Sequence, residues 1–118
     1  MSLSHEQIAR AFSAHRFHEV YPFLTDETLW AMVGGTLHHG RESIVRACDA
    51  ATVYLRTQRT TFTKFEVLCG PDFAVVDSMA AYVDGDNLRS TVASCDIYRF
   101  REQSVREIVS FTVELPPA

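Results

Sequence analysis

Residues 90–100 read STVASCDIYRF. Strand alternation places Val92, Ser94, Asp96, Tyr98 and Phe100 on one face, and Thr91, Ala93, Cys95 and Ile97 on the other. Apart from one carboxylate both sets are mostly small or apolar, so the segment reads as a strand covered on both sides. An unpaired charge at its centre would cost roughly several kcal/mol. Asp96 must then be paired, protonated or turned toward a wet cavity. The cavity is the expectation adopted here.

Working outward, turn signals stand on either side: Asp84-Gly85-Asp86-Asn87 before the segment and Arg101-Glu102-Gln103-Ser104 after it. With Gly70-Pro71-Asp72 they divide the second half of the chain into four period-two runs, 60–69, 73–83, 88–101 and 105–115. Strands joined so tightly are antiparallel neighbours. The first half has helical spacing instead. Ser4 and Gln7 form a capping-box pattern, and Ile8, Ala11, Phe12 and His15 then share one face. A second short helix carries Phe17, Val20, Tyr21 and Leu24, with Pro22 predicting a kink or break. Residues 28–33 (TLWAMV) read as a strand stopped by Gly34-Gly35, and 41–55 as the longest amphipathic helix. The tail, Pro116-Pro117-Ala118, cannot extend a sheet. Helices bunched before antiparallel strands predict an α+β domain spanning residues 1–118, one curved sheet with the helices on one face. A hollow between such layers is where small molecules usually bind.

Composition narrows the partners. With 118 residues the chain can bury a core without staples. A net charge of −4 supplies no basic face for nucleic acid or an anionic membrane, so neither is an expected partner. No apolar run approaches the roughly 20 residues of a membrane span. No basic stretch followed by an apolar core opens the chain, so no export signal is expected. Cys48, Cys69 and Cys95 lack CxxC spacing and read as small hydrophobes in a reducing cytoplasm, not as a disulfide framework or metal site. His38 and His39 are adjacent, so in a strand-like loop they point opposite ways and cannot share one ion. No cofactor and no metal is expected.

The order of elements, the segment TLWAMVGGTLHHGRESI (28–44) and the later CDIYRF (95–100) and VREIVSFTVEL (105–115) resemble the SnoaL-like group of the nuclear transport factor 2-like superfamily. That superfamily also contains ketosteroid isomerase. The resemblance covers roughly residues 7–115. It implies a cone-shaped, curved, mainly antiparallel sheet wrapped around the N-terminal helices, a pocket at the wide end, and commonly a homodimer through the outer sheet face. Such scaffolds host unrelated chemistries. Asp96 matches the aspartic acid of the isomerase oxyanion hole, a carboxylic acid kept neutral by its apolar site. The position of the general-base aspartate aligns with Ala31, and that of the oxyanion tyrosine roughly with Ile8. With two of three working groups missing, steroid isomerisation is rejected.

Other candidates come from strand parity. Asp77, in FAVVDSMAAYV (73–83), shares a face with Val75, Met79, Ala81 and Val83; an acid on an apolar face is where desolvation raises a carboxyl pKa. If the strands pair through the Gly85 turn, Asp77 and Asp96 both face the cavity as an acid–base pair. The bland alternative is two structural aspartates satisfied by groups such as Tyr82, Tyr98, Ser94, Arg89 or Arg106. Trp30 either walls the pocket or packs on the long helix. Phe62 and Phe65 fall on opposite faces of their strand. Val109, Phe111 and Val113 share a face and would floor the cavity. The ligand-contacting set expected is Trp30, Met79, Ser94, Tyr98, Val109 and Phe111, with Asp96 and Asp77 as catalytic candidates. Ala93, Cys95, Ile97, Ile108 and Ser110 would make the outer face, with Arg99 at one end. A patch that apolar predicts a two-fold dimer. Two functions follow: a non-catalytic pocket protein that binds a small hydrophobic ligand or serves as a dimeric interaction module, or an isomerase, cyclase or hydratase/hydrolase using the two aspartates.

Overall fold

A computed structural model describes residues 3–116; Pro117 and Ala118 of the tail lie outside the described residues. Helix α1 (His5–Ser13) starts at the expected capping box, Ser4 accepting from the Gln7 backbone while the Gln7 side chain accepts from Ser4 N–H. It buries Ile8, Ala9, Ala11, Phe12 and Ser13. The helix closes through His15, whose φ is 69°, with the Arg16 N–H reaching back to the Ala11 carbonyl at 2.8 Å. The next expected helix is instead two 3₁₀ turns, Phe17–Glu19 and Tyr21–Phe23, with Pro22 opening the second. Proline cannot donate to a preceding turn, so the chain breaks there.

Strand β1 (Leu29–Met32) turns back into β2 (Leu37–His39), where a strand-like loop is expected from the sequence. Gly40 then bends into helix α2 (Arg41–Leu55), with φ 89° and its Cα so close to the Asp26 carbonyl oxygen that a Cβ would lie 3.1 Å from it. Four long strands follow: β3 (Arg59–Cys69), β4 (Phe73–Asp84), β5 (Asn87–Arg101) and β6 (Ser104–Glu114). The sheet order is β2-β1-β6-β5-β4-β3; only the β1–β6 pair is parallel. The architecture is α+β, two helices and an open, mixed six-stranded sheet.

Each long hairpin carries one extra residue, and this decides which side chains face inward. In β3–β4, Phe62 faces Ala80 but Lys64 faces Met79, leaving Thr63 extra. In β4–β5, Tyr82 faces Ser90 but Val83 faces Leu88, leaving Arg89 extra. In β5–β6, Arg99 faces Glu107 but Phe100 faces Val105, leaving Arg106 extra. Such bulges bend and twist the strands they interrupt, and a one-residue slip exchanges the two faces of everything beyond it. The inner face is consequently Ala74, Val76, Ser78 and Ala80 on β4, Val92 to Phe100 by twos on β5, and Val105, Ile108 and Ser110 on β6.

Helix α1 lies on that inner face. Ile8, Ile108, Val20, Val76, Val105 and Tyr98 are fully buried between the layers, each aliphatic side chain worth about 1.5–3 kcal/mol of transfer free energy. Phe12 centres an aromatic cluster, its ring edge-on to Phe17, Trp30 and Tyr98 at 5.1, 5.0 and 6.1 Å. No helix among the described residues is long and apolar enough to cross a membrane.

Candidate functional site

Because the bulges curve the sheet and α2 crosses only part of it, the layers do not close completely. A cavity of about 250 Å³ remains between the end of α1, the last turn of α2 and the inner face of the sheet. Phe12, Phe17, Phe62 and Trp30 supply apolar walls, Ala51, Tyr54 and Leu55 of α2 one side, and Ser94, Asp96, Ser110 and Thr112 the polar patch.

Asp96 is the only acid among the lining residues, and no guanidinium or ammonium pairs with it among the described residues. Its partners are hydroxyls. Ser13, from the last turn of α1, donates to Oδ2 at 2.7 Å, and the hydroxyl of Ser110, its cross-strand neighbour on β6, lies beside the carboxylate and favours its ionised form. Two further contacts fix the direction of the protons. The Trp30 indole N–H donates to Ser110 Oγ at 3.0 Å, and indole only donates, so the Ser110 proton is free for Asp96. Ser13 Oγ lies 2.6 Å from the Tyr98 hydroxyl. With the Ser13 proton on Asp96, Tyr98 is the donor in that contact. Both arms of the chain, Tyr98 to Ser13 and Trp30 to Ser110, thus point at one carboxyl.

Burial pushes the Asp96 pKa up, and the Ser110 and Ser13 hydroxyls pull part of it back. A proton added to Asp96 faces the cavity or is shared with Ser13, whose hydroxyl can then turn its own proton to Tyr98. An ionised Asp96 keeps acceptor capacity beyond the two hydroxyls, because a carboxylate has about four lone-pair sites. In either state the group facing a ligand is Asp96. Tyr98 is fully buried, and burial together with the Asp96 charge drives its pKa well above the ordinary value.

Of the residues expected from sequence, Trp30, Ser94 and Asp96 line the cavity. Tyr98 lies beneath it and reaches it only through Ser13. Met79, Val109 and Phe111 are on the outer face, and so is Asp77, 2.7 Å from Lys64 Nζ. The reason is the bulges. An uninterrupted ladder through the Gly85 turn would pair Asp77 with Ser94; the extra Arg89 pairs it with Cys95. Arg106 likewise replaces Val109 by Ser110 opposite Asp96, which moves Ile108 and Ser110 from the expected outer face to the inner one. Thr63 puts Phe62 and Phe65 on the same face, with ring centroids 5.1 Å apart. Asp77 is about half exposed, and such surface pairs contribute about 0–1 kcal/mol. It takes no part in the cavity.

Sequence reasoning missed Ser13, Ser110 and His15. Ser13 follows Phe12 at the helix end, and His15 shares the apolar face of Ile8, Ala11 and Phe12, so the helical spacing carried the signal for both. Ser110 was lost to parity. His15 is unusual twice over: left-handed backbone costs a residue with a Cβ about 1–2 kcal/mol, and burial lowers its pKa, so the imidazole is neutral at pH 7. His38, by contrast, sits on the edge strand β2, tilted against Trp30 at 5.5 Å and 3.3 Å from the Ser43 hydroxyl. No cluster of His, Cys, Asp or Glu suited to a metal occurs among the described residues.

No family model matches the chain, and no curated protein matches it. Solved structures do. A nuclear transport factor 2-like protein of unknown function from Cytophaga hutchinsonii is 23% identical, with TM-score 0.80, over 93% of this chain and all of the other. The chain has the nuclear transport factor 2-like fold. A candidate isomerase of the SnoaL-like family from Agrobacterium tumefaciens (16% identity, TM-score 0.68) matches over 92% of this chain and 97% of its own. A candidate SnoaL-like polyketide cyclase from Shewanella denitrificans (12% identity, TM-score 0.70) matches over 92% and 90%.

Proposed function

We propose that this domain is a small-molecule pocket protein of the SnoaL-like type. Its cavity takes a compact, mainly apolar molecule and meets one polar group of that molecule with Asp96. The observation that carries this reading is a carboxyl facing an aromatic-walled hollow with no cation paired to it among the described residues. The ligand's matching group is a hydroxyl when Asp96 is ionised and a carbonyl when it is protonated. The raised Asp96 pKa favours a second reading, in which the same carboxyl exchanges its proton with a substrate as an isomerase, cyclase or hydratase would. Asp77 has no part in either.

Trp30, the single tryptophan, lines the cavity and reports on it. Titration of its fluorescence with para-ethylphenol and with ethylbenzene at pH 7 should show both binding saturably, the phenol about tenfold tighter, since a hydrogen bond to a charged group is worth about 1.5–3 kcal/mol. Asp96→Leu should remove the preference and keep ethylbenzene binding. A preference that survives Asp96→Leu, or no saturable response to either probe, overturns the reading.

The same proposal includes a homodimer through the outer sheet face, in the reducing cytoplasm that three free thiols suit. Val75, Met79, Ala93, Cys95, Ile97 and Val109 form a half-buried stripe across β4, β5 and β6, extended by Phe111 and Val113, which are 42% and 60% exposed. No helix of the described residues covers it. A second copy, burying the stripe reciprocally, is the occupant that fits an apolar face running across three strands. Light scattering at micromolar concentration should give about twice 13.3 kDa, and Phe111→Glu should halve it. A monomeric mass for the unsubstituted chain would contradict the dimer.

A further inference from the structure

His15 is the one imidazole lining the cavity, a group able to exchange a proton near neutral pH, and the hydroxyl network around Asp96 does not use it. Three observations single it out. Its backbone occupies the left-handed region, with φ 69°, at the position that closes α1, where glycine is the residue least strained. The helix end is satisfied regardless of side chain, by backbone bonds from His15 N–H to Phe12 and from Arg16 N–H to Ala11. Strain of this sort is retained where the surroundings over-determine it, and it concentrates at ligand sites.

The surroundings of the ring are the second observation. It sits among Phe17, Phe62 and Tyr82, with centroids 5.7, 5.7 and 6.4 Å away. These rings pack against the imidazole, and no hydrogen bond joins it to the Tyr82 hydroxyl. The third is the missing partner. His5 meets the Glu102 carbonyl and His38 the Ser43 hydroxyl, whereas no side-chain hydrogen bond of His15 is formed among the described residues. The ring lines the cavity on one side and borders a second hollow on the other, lined by Thr52, Arg56, Gln58 and Thr60. It therefore stands as a partition with polar atoms available to whatever fills the cavity.

We propose that His15 is the second polar contact of the cavity, so that the natural ligand is a compact aromatic or alicyclic molecule carrying two hydrogen-bonding groups, one met by Asp96 and the other by His15. This rests on the reading of Asp96 given above and adds to it a ligand class: difunctional, not monofunctional. An imidazole bearing one ring proton has one donor and one acceptor, so a hydroxyl on the ligand is matched in either orientation. His15 acts on the ligand directly; no residue is positioned through it.

The test compares the para and meta isomers of hydroxyphenethyl alcohol with para-ethylphenol, each isomer also being set against the ethylphenol of its own substitution pattern so that the pair differs by one hydroxyl, by the Trp30 fluorescence titration. At least one of the two diols is expected to bind fivefold or more tightly than para-ethylphenol. His15→Asn, which tolerates the left-handed backbone but shortens the side chain, should abolish that advantage, read as the ratio of diol to para-ethylphenol affinity within the same variant. In the unsubstituted protein the His15 ring-nitrogen chemical shifts should move with the preferred diol and stay nearly fixed with para-ethylphenol, a readout that needs no variant to fold. Diols no tighter than para-ethylphenol, or an advantage that persists in His15→Asn, overturn the proposal while leaving the Asp96 reading standing. Failure of para-ethylphenol itself to bind removes both.

Discussion

Replacing Tyr98 by alanine is expected to cost about 3–5 kcal/mol, the range for deleting a buried aromatic side chain. Against a total stability of about 5–15 kcal/mol this brings the domain near unfolding. The side chain is fully buried, stacked over Phe100, edge-on to Phe12 and opposite Ile108 on the neighbouring strand. Its removal leaves a void that strands fixed on both sides cannot collapse into. Tyr98→Phe separates packing from hydrogen bonding. It keeps the ring and removes only the donor to Ser13, for an expected loss of about 1–2 kcal/mol. Urea unfolding of the two variants checks both numbers. Equal losses would mean that the hydroxyl, not the ring, carries the residue's contribution.

The second large effect is a pH dependence. Folding raises the Asp96 pKa above the unfolded value near 3.8. Between the unfolded and folded pKa values the native state holds a proton that the unfolded chain has released. The contribution of Asp96 is therefore fully present below the unfolded pKa and is lost as pH rises through the folded one, at up to about 1.4 kcal/mol per pH unit. Asp96→Asn does not titrate. Its stability relative to the unsubstituted protein should rise across that window and level off above it, with the other carboxylates cancelling in the difference. The substitution should also fold. Its amide oxygen can accept from Ser110, whose proton is committed by Trp30. Its amide N–H can donate to Ser13, which then turns its own proton to Tyr98, because a phenol accepts as well as donates. A stability difference that is flat with pH, or that falls, would show that Asp96 is not held above its ordinary pKa.

What the sequence made legible is set by the length scale of each signal. The capping box at Ser4, the span 41–55 and the three turns were readable because each depends on residues within a few positions of one another. The inward direction of Asp96, and of Ser94 beside it, was also readable, since alternation along β5 between residues 90 and 100 is uninterrupted. The faces of β4 and β6 relative to β5 were not. Each depends on whether the pairing slips by one residue, and Arg89 and Arg106 carry nothing in their chemistry that marks a bulge. Two arginines thereby turned Asp77, Met79, Val109 and Phe111 outward and brought Ser110 to the carboxyl. The shortest strand, β2, was missed because three residues are too few for a period to show.

The corrected parity sharpens the functional reading. One acid facing a hollow, fed by two hydroxyl chains and standing with a histidine in a strained turn, is a simpler constellation than the pair of carboxylates that strand alternation suggested. On the proposed reading it asks of a ligand one hydrogen-bonding group at Asp96, a second at His15 and an apolar body against Phe12, Phe62 and Trp30.

The most direct measurement is the titration of the Asp96 carboxyl carbon by NMR, in the free protein and in the presence of saturating para-ethylphenol. The midpoint is predicted to lie above the ordinary aspartate value of 3.8 in the free protein, and to move down with the phenol bound, because the phenol O–H bonds the ionised form. A midpoint at or below the ordinary value, unmoved by the phenol, would contradict a carboxyl that faces the cavity and meets its ligand.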